Sequence, residues 1–259
     1  MISNARATAP LMQQVKCSGI WGGISVADRE IRTGSLTATL RSTASGGLQG
    51  GDICYFSVCG GDLVTRIALA DMRGHGERVS KLSQWLYGSL RARINAVDAS
   101  GVLYDLNQLV CDHGLEALTT AAILSYYATE QTLSFAYAGH PPILVRQSPS
   151  VWSARPVESG ARTANLPLGI MRSTEFDELK IQLEPGDRIV LYTDCVTECP
   201  DANGDLFGED RLLDVLNRNA HLDIPEIKRA VFDALRTHAG GELRHDDCTL
   251  IVVETSPLQ

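Results

Sequence analysis

The sequence predicts an α+β fold, a sandwich of two mostly antiparallel β-sheets flanked by helices. Short runs rich in apolar and β-branched residues recur from residue 20 to residue 253, and two blocks of helical periodicity interrupt them. The 259 residues are enough for one large core, and no linker-like stretch divides them. We therefore expect a single domain over residues 1–259, with residues 1–15 as a loose N-terminal segment.

The first strands are expected to follow one another as an antiparallel meander, because their connections are short. Gly60, Gly61 and Asp62 form a tight hairpin turn between the last two of them. The predicted strands are Ile20–Val26, Ser35–Thr43, Ile53–Cys59 and Leu63–Ala70.

After Gly76 the apolar residues recur at helical spacing, which predicts an amphipathic helix. Residues 146–164, rich in Ser, Arg and Pro, are expected to form a long surface loop. The predicted helices are Glu77–Val97, Gly101–Asp112, Glu209–Asn217 and Ile224–Ala239, and the later strands are Thr120–Tyr127, Thr132–Ala138, Pro142–Val145, Glu178–Leu183, Arg188–Thr193 and Thr249–Val253.

The overall charge argues against nucleic-acid and membrane partners. There are 31 acidic and 23 basic residues, a formal net charge of -8, so the field of the protein repels polyanions and anionic bilayers. No run of about 18 apolar residues is present, and the first ten residues lack the pattern of a signal peptide. We expect a soluble, cytoplasmic protein.

The seven cysteines do not suggest a disulfide framework or a zinc site. Their number is odd, and no two of them are spaced as Cys-x-x-Cys. We expect most of them to be reduced and to act as small apolar side chains.

Four acidic residues lie where predicted strands begin or end. Asp52 follows two glycines, Asp71 ends an apolar strand before a Gly-His-Gly turn, Asp194 ends another strand, and Asp246 opens the last one beside Asp247. Any one of them alone would be interpreted as an Asx turn or a helix cap. Their recurrence beside glycines and strand ends instead favours one shared site.

A site made of four carboxylates needs cations. Two carboxylates about 4 Å apart repel by roughly 4 kcal/mol at an effective dielectric constant of about 20. In the alternative, a salt-bridge network, Arg73 and Arg244 are the counter-ions, and they leave charge uncompensated. Oxygen ligands favour Mg²⁺ or Mn²⁺, and two such ions balance four carboxylates and share a bridging water that becomes a nucleophile at neutral pH. A phosphate ester suits that chemistry.

Nine motifs, in order along the chain, resemble those of the bacterial SpoIIE and RsbU type of metal-dependent (type 2C, or PPM) serine/threonine protein phosphatases. The resemblance covers about residues 50–253. The motifs are Gly50-Gly51-Asp52, Ala70 to Gly76 (ADMRGHG), Ala138 to Pro142 (AGHPP), Leu166 to Gly169 (LPLG), Leu183 to Asp187 (LEPGD), Leu191 to Asp194 (LYTD), Val196-Thr197-Glu198, Gly204 to Gly208, and Asp246 to Thr249 (DDCT).

The resemblance implies a four-layer αββα sandwich with a two-metal centre at one end. By position, Asp71 corresponds to the acid that bridges both metals, beside the backbone carbonyl of Met72. Asp52 corresponds to a ligand of the second metal, reached partly through water, and Asp194 and Asp246 correspond to ligands of the first. The predicted helix Glu77–Val97 and the helix that follows it correspond to the helical pair on which regulators of this family act. The typical substrate of the family is a phosphoserine or phosphothreonine on an anti-sigma factor antagonist.

Cys195 departs from the family pattern, which usually has glycine after the Thr-Asp pair. If this position requires positive φ, a side chain there costs on the order of 1 kcal/mol or more and puts the first metal site in doubt. The thiol is interpreted as an inert buried group or, alternatively, as an oxidisable group beside the metal.

Three histidines and one arginine are further candidates for the site. His75 is the candidate proton donor to the leaving oxygen, and the alternative is that it braces its loop by hydrogen bonding. His140 is interpreted as a hydrogen-bonding residue at a strand end, and His245 as a solvated residue. Arg41 is the candidate for holding the substrate phosphate, on spacing alone.

Three functions are open at this point. The first is a Mn²⁺- or Mg²⁺-dependent phosphatase that acts on phosphoserine or phosphothreonine of a bacterial signalling protein, with a separate regulatory protein as a further partner. The second, motivated by Cys195, is a catalytically weak phosphatase-fold module that binds a phosphoprotein or signalling partner. The third keeps the two-metal chemistry and takes small phosphate esters. The sequence leaves the oligomeric state open.

Overall fold

The structure, a computed structural model, describes residues 11–16, 19–45, 47, 49–74, 76–94, 98–156, 165–243 and 245–258. The strands are β1 (Leu11–Gln14), β2 (Ile20–Ser25), β3 (Ala27–Arg32), β4 (Leu36–Thr43), β5 (Gln49–Cys59), β6 (Val64–Met72), β7 (Thr119–Tyr127), β8 (Thr132–Ala138), β9 (Leu144–Arg146), β10 (Ser153–Ala154), β11 (Glu178–Gln182), β12 (Arg188–Tyr192) and β13 (Cys248–Thr255). The helices are α1 (Glu77–Arg93), α2 (Ala99–His113), α3 (Cys195–Glu198), α4 (Gly208–Arg218) and α5 (Ile224–Ala239), and a 3₁₀ turn covers Leu115–Ala117.

The strands form two sheets. The seven-stranded sheet has the order β1-β3-β4-β13-β12-β9-β10, and the six-stranded sheet has the order β11-β8-β7-β6-β5-β2. Among the described strands, β1 pairs with β3 in parallel and the other pairings are antiparallel. The prediction of two mostly antiparallel sheets flanked by helices is confirmed.

Three apolar cores separate four layers. Phe56 and Ile251 belong to the core between the two sheets. Tyr55, the neighbour of Phe56 on β5, points the other way and packs with apolar residues of α1 and α2, as the alternation of a strand requires. Leu250 of β13 and Phe232 of α5 belong to the third core, on the outer face of the seven-stranded sheet. The layers are therefore helix, sheet, sheet, helix.

The helix boundaries follow from capping. Helix α5 occupies the predicted range, because the Asp223 carboxylate accepts a hydrogen bond from Glu226 N at 2.8 Å and Gly240 ends the helix in the left-handed conformation. Helix α1 ends at Arg93, so the predicted end at Val97 is wrong, and residues 95–97 lie outside the described ranges. Within the described ranges, no helix is both long enough and apolar enough to cross a bilayer.

The N-terminal segment is not entirely loose. Strand β1 pairs with β3, with Leu11 opposite Arg29 and Gln14 opposite Arg32. Val15, which follows β1, is 3% exposed and packs in the core between the sheets. The prediction of a loose segment is therefore wrong for residues 11–15, while residues 1–10 lie outside the described ranges.

The predicted single meander of the first strands is wrong. The Gly60-Gly61-Asp62 turn does join β5 to β6, with Cys59 opposite Val64. Strand β4, however, lies in the seven-stranded sheet, while β2, β5 and β6 lie in the six-stranded sheet. Strand β3 escaped prediction because four of its six residues are charged, which hides its buried Ile31.

The predicted surface loop at residues 146–164 contains a short strand. Ser153 and Ala154 of β10 pair with Val145 and Leu144 of β9, and Trp152 beside them is 3% exposed. This part of the loop prediction is wrong, and residues 157–164 lie outside the described ranges.

Candidate metal centre

The six-stranded sheet contributes two carboxylates. Strands β5 and β6 pair antiparallel with Ile53 opposite Ala70, so the start of β5 meets the end of β6. Asp52, which precedes Ile53, therefore lies across from Asp71, which follows Ala70.

The seven-stranded sheet contributes the other two. Strands β12 and β13 pair antiparallel, with Tyr192 opposite Leu250. The ladder continues for one more step, because Thr193 N donates to Thr249 O at 3.1 Å and Thr249 N donates to the Thr193 hydroxyl at 3.0 Å. Asp194 follows this step directly, and Asp246 lies on the segment that enters β13.

A hydrogen bond joins the two sheets at this end of the sandwich. The hydroxyl of Thr193 donates to Oδ2 of Asp52 at 3.1 Å. Asp52 is only 2% exposed, and its other oxygen, Oδ1, is buried without a hydrogen-bond partner. Burial, with the nearby charge of Asp247, raises the pKa of Asp52 well above its ordinary value.

The other carboxyl groups act on one another electrostatically. Burial, the negative charges of Asp52, Asp194 and Asp246, and a hydrogen bond with Asp194 together raise the pKa of Asp71 to about 9. Burial and the charges of Asp247 and Asp194 also raise the pKa of Asp246. The structure thus gathers the four predicted acids, which lie far apart in the sequence, into one cluster.

Sequence reasoning assigned no role to Glu198, although it belongs to a family motif. Burial raises its pKa, and so do the charges of Asp194 and Asp246, which places it at the margin of the cluster. Its position one helical turn after Asp194 in α3 is the sequence signal that would have found it.

The cluster lacks basic neighbours among the residues that the structure describes. No lysine or arginine there forms a salt bridge with any of the four acids, and Arg73 is exposed. Arg244 lies outside the described ranges. In the same ranges, no group of three or more His, Cys, Asp or Glu side chains is arranged so that it could hold a metal ion as it stands.

Two glycines at the start of β5 leave room for the groups that pack against it at the cluster. A Cβ atom on Gly51 would lie 2.8 Å from the carbonyl oxygen of Met72, the residue after Asp71. A Cβ on Gly50 would lie 2.5 Å from Oδ2 of Asp247. The Met72 carbonyl is therefore at the junction of β5 and β6, beside the cluster, and the double glycine before Asp52 is a packing requirement.

Asp247 differs from its neighbour Asp246. It is 5% exposed, and its carboxylate accepts hydrogen bonds from Gly51 N at 2.5 Å, Ser45 N at 2.7 Å and the Ser45 hydroxyl at 3.2 Å. Backbone donors thus satisfy this carboxylate, which fixes the segment before β5. Its motif gave no indication of this structural role.

Cys195 occupies its position without backbone strain. It is the first residue of α3, and it is not among the described residues that have positive φ. Its side chain is 1% exposed, and its Sγ lies 3.2 Å from Nε2 of His245. A hydrogen bond with Cys248 and burial raise the pKa of the thiol, which keeps it protonated and poorly reactive. The position therefore imposes no requirement for glycine in this chain.

The arginine and histidine candidates fall in different places. Arg41 does not face the cluster, so this prediction is wrong: it pairs with Leu250 on the outer face of the sheet, and its Cζ lies 4.8 Å from the centre of the Phe232 ring. His75 lies outside the described ranges. His245 is exposed, as predicted, but its Nε2 also lies 3.2 Å from the Cys195 carbonyl oxygen.

His140 is buried beside the cluster. It is 6% exposed, and burial lowers the pKa of its ring to about 4, against the influence of the Asp194 charge. Its Nδ1 lies 2.9 Å from the Pro141 carbonyl oxygen, which agrees with the predicted hydrogen-bonding role, while its Nε2 has no partner.

The chemistry of the donors, though not their present arrangement, fits a site for hard divalent cations. The donors at the cluster are carboxylate and carbonyl oxygens, which are the ligands that Mg²⁺ and Mn²⁺ prefer. The unpartnered Oδ1 of Asp52 and the raised pKa of Asp71 both show that the protein itself does not compensate the ionised form of these carboxyl groups.

A four-layer αββα sandwich with an acidic cluster at one end is the fold of the PP2C, or PPM, class of phosphatase domains. The SiaA-PP2C domain of Pseudomonas aeruginosa has this fold: it matches with a TM-score of 0.72 and 20% identity, over 84% of this chain and 85% of that domain.

The family of the chain follows from a sequence match. The model of the Stage II sporulation protein E (SpoIIE) family matches residues 61–256, and the chain belongs to this family. The resemblance to the SpoIIE and RsbU type is thereby confirmed.

Two curated proteins are similar to the chain in sequence. Phosphoserine phosphatase RsbU of Bacillus subtilis (strain 168) is 29% identical over 191 residues, which are 72% of this chain and 54% of RsbU. Protein IcfG of Synechocystis sp. is 27% identical over 121 residues, which are 47% of this chain and 18% of IcfG. The chain thus matches about half of RsbU and a smaller share of IcfG.

Proposed function

We propose that the protein is a Mn²⁺- or Mg²⁺-dependent phosphatase that hydrolyses phosphoserine or phosphothreonine on a bacterial signalling protein. The observation that carries the proposal is the cluster of Asp52, Asp71, Asp194 and Asp246, in which burial and mutual repulsion raise the pKa of Asp71 to about 9. Without bound cations, such a cluster opposes its own ionisation.

The proposed ligands come from both sheets. Asp71 would be a ligand of both ions, with the Met72 carbonyl beside it, and Asp52 would hold the second ion. Asp194 and Asp246 would hold the first ion. When bound, the ions would supply charge compensation and activation of a water molecule for attack on a phosphate ester. His75 remains the candidate proton donor to the leaving oxygen.

A phosphoserine substrate is supported by one of the relatives. RsbU is named a phosphoserine phosphatase, and the chain shares 29% identity with it. We infer that the substrate is a phosphorylated signalling protein and that a separate regulatory protein controls the activity, as the family resemblance implies.

The test is metal-dependent hydrolysis. We expect turnover of p-nitrophenyl phosphate and of a serine-phosphorylated protein with added Mn²⁺, and a loss of about 100-fold or more in Asp71→Asn. Asp105→Asn is the matched control, because Asp105 is exposed on α2 and the same change there should leave turnover intact. No turnover with any divalent ion on either kind of substrate would refute the proposal.

The catalytically weak binding module finds less support. That hypothesis rested on Cys195, which stands where the family usually has glycine. The backbone conformation at Cys195 does not require glycine in this chain. Small phosphate esters remain an alternative substrate class, which a comparison of rates on phosphopeptides and on phosphorylated metabolites would separate.

A further inference from the structure

The ring of His140 is held in one tautomer. Its Nδ1 lies 2.9 Å from the Pro141 carbonyl oxygen. A carbonyl oxygen only accepts hydrogen bonds, so Nδ1 must donate and carry the hydrogen. In the neutral ring, Nε2 is then an acceptor with a free lone pair.

This acceptor has no partner within the protein. Nε2 is buried, His140 as a whole is 6% exposed, and no hydrogen-bond donor reaches the atom. Buried polar atoms are rarely left unpaired in folded proteins, and those that are often belong to functional sites. Such an atom therefore calls for a donor that the chain does not itself supply.

His140 lies at the edge of the cluster. Gly139, the residue before it, forms an isolated β-bridge with Ala121 of β7, and Ala121 pairs with Ala70, the residue before Asp71. The influence of the Asp194 charge on the ring agrees with this placement.

The turn that carries His140 is fixed on both sides. Gly139 has φ 64°, and a Cβ atom there would lie 2.4 Å from Cγ of Pro167, so the backbone is packed tightly before the histidine. After it, the Tyr137 hydroxyl accepts a hydrogen bond from Ile143 N at 2.9 Å. A side chain held in this way loses little entropy when it binds a further group.

We propose that His140 is a positioning residue whose Nε2 accepts a hydrogen bond from a water molecule held among the carboxylates of the cluster. The inference rests on the proposed phosphatase function. With one hydrogen directed to Nε2 and the other to a carboxylate, the water is oriented before it attacks the phosphate ester. No proton moves to the ring in this role.

Two substitutions separate this role from a purely structural one. His140→Asn keeps an amide donor near the position of Nδ1, for the Pro141 carbonyl, but has no atom at the position of Nε2. His140→Gln places an amide oxygen, an acceptor, near the position of Nε2 and gives up the donor to Pro141. We expect kcat for p-nitrophenyl phosphate with Mn²⁺ to fall about 10- to 100-fold in His140→Asn, with KM changed less than about twofold, and to stay within about threefold in His140→Gln.

The opposite order would mean that His140 only braces its own turn, and equal effects of the two substitutions would likewise overturn the inference. Thermal unfolding of both variants, with and without Mn²⁺, shows whether each is folded. A wild type without metal-dependent turnover would overturn the proposed function, and the inference with it. A wild type that turns over while the variants fail to differ as expected would overturn the inference alone.

A measurement on the wild-type protein does not depend on the variants. With ¹⁵N-labelled histidine, the ring of His140, assigned by its absence in His140→Gln, should show the hydrogen on Nδ1. On addition of Mg²⁺ to chelator-treated protein, the Nε2 resonance should shift in the direction of hydrogen-bond acceptance. A hydrogen on Nε2, or an Nε2 resonance that Mg²⁺ leaves unchanged, would overturn the inference.

Discussion

At the scale of single residues, the cost of the acidic cluster falls on Asp71 as well as on the more deeply buried Asp52. The pKa of Asp71 is raised to about 9, so at neutral pH and without metal the folded protein holds a proton there that the unfolded chain does not. Taking up that proton opposes folding. A neutral side chain of the same shape avoids this cost.

Asp71→Asn should therefore make the metal-free protein more stable while it abolishes metal-dependent activity. We expect a gain of about 1–3 kcal/mol at pH 7 in chelator, seen as a rise of several degrees in the thermal midpoint. Added Mn²⁺ should stabilise the wild type and have little effect on the variant. A metal-free variant less stable than the wild type would show that the Asp71 carboxylate is well satisfied in the fold.

Cys195 gives a second prediction at this scale. Cys195→Gly should not raise activity, because the backbone there has no positive φ for glycine to relieve. It should instead lower the free energy of unfolding by about 1–3 kcal/mol, through the loss of a buried side chain and the flexibility of glycine in α3. Rates on p-nitrophenyl phosphate and urea unfolding curves measure both effects. A gain in rate of tenfold or more would revive the binding-module hypothesis.

The sequence could indicate which acids matter and not which way each side chain points. The acids stood out because each adjoins a strand end, and the structure gathers all four. Arg41 could not be placed from spacing, because a shift of one residue along β4 moves a side chain from the face of Ser42 to the face packed on α5. The unpartnered Nε2 of His140 depends on contacts between distant segments, which no local pattern reports.

At the scale of elements, the junction of β5 and β6 is the most sensitive part of the site. Gly51 has no room for a side chain, because a Cβ atom would lie 2.8 Å from the Met72 carbonyl oxygen. The Ser83 hydroxyl of α1 also donates to the Gly51 carbonyl at 3.1 Å, so the junction is held from the helix side as well.

Gly51→Ala should force β5 away from β6 and lower stability by about 1–3 kcal/mol, with a loss of Mn²⁺-induced stabilisation. Gly88→Ala is the matched control, because Gly88 is exposed within α1 and a Cβ atom there meets nothing within 4 Å. That change should instead stabilise the protein by up to about 1 kcal/mol. Thermal unfolding with and without Mn²⁺ checks both, and equal behaviour of the two variants would contradict the packing argument.

Elements with strong periodicity were predictable, and very short or highly charged strands were not. Strand β8 and helix α5 occupy their predicted ranges, because β8 is buried along most of its length and α5 is capped at both ends. Strand β3 escaped prediction because four of its six residues are charged, and β1 because it has only four residues, two of them polar.

At the scale of the whole molecule, the site exists because the two sheets end at the same place. Each sheet contributes two acids, and the hydrogen bond from the Thr193 hydroxyl to Asp52 joins the two sheets at this end. Bringing four carboxylates together works against the packing of the sheets, and protons or cations must offset it. We therefore predict that folding, proton uptake and metal binding are coupled in this protein.

This coupling predicts the pH dependence of stability. The pKa of Asp71 is about 9 in the fold and about 3.9 in the unfolded chain, so its contribution is fully present at low pH and is lost as the pH rises through about 9. The lowered pKa of His140, about 4, has the opposite effect, but only below about pH 6.5. Between about pH 7 and pH 9, the metal-free wild type should therefore lose stability relative to Asp71→Asn.

The quantity to measure is the difference in unfolding free energy between Asp71→Asn and the wild type, in chelator, at several pH values in this range. Taking the difference cancels the contributions of cysteines and tyrosines to the unfolding free energy. Their raised pKa values also lower stability at alkaline pH, but they do so in both proteins. The difference should grow by up to about 1.4 kcal/mol per pH unit until about pH 9. Saturating Mn²⁺ should reverse the trend in the wild type, because the ions replace the proton and bind more tightly as it leaves. A difference that is independent of pH would mean that the four carboxylates do not share one electrostatic site.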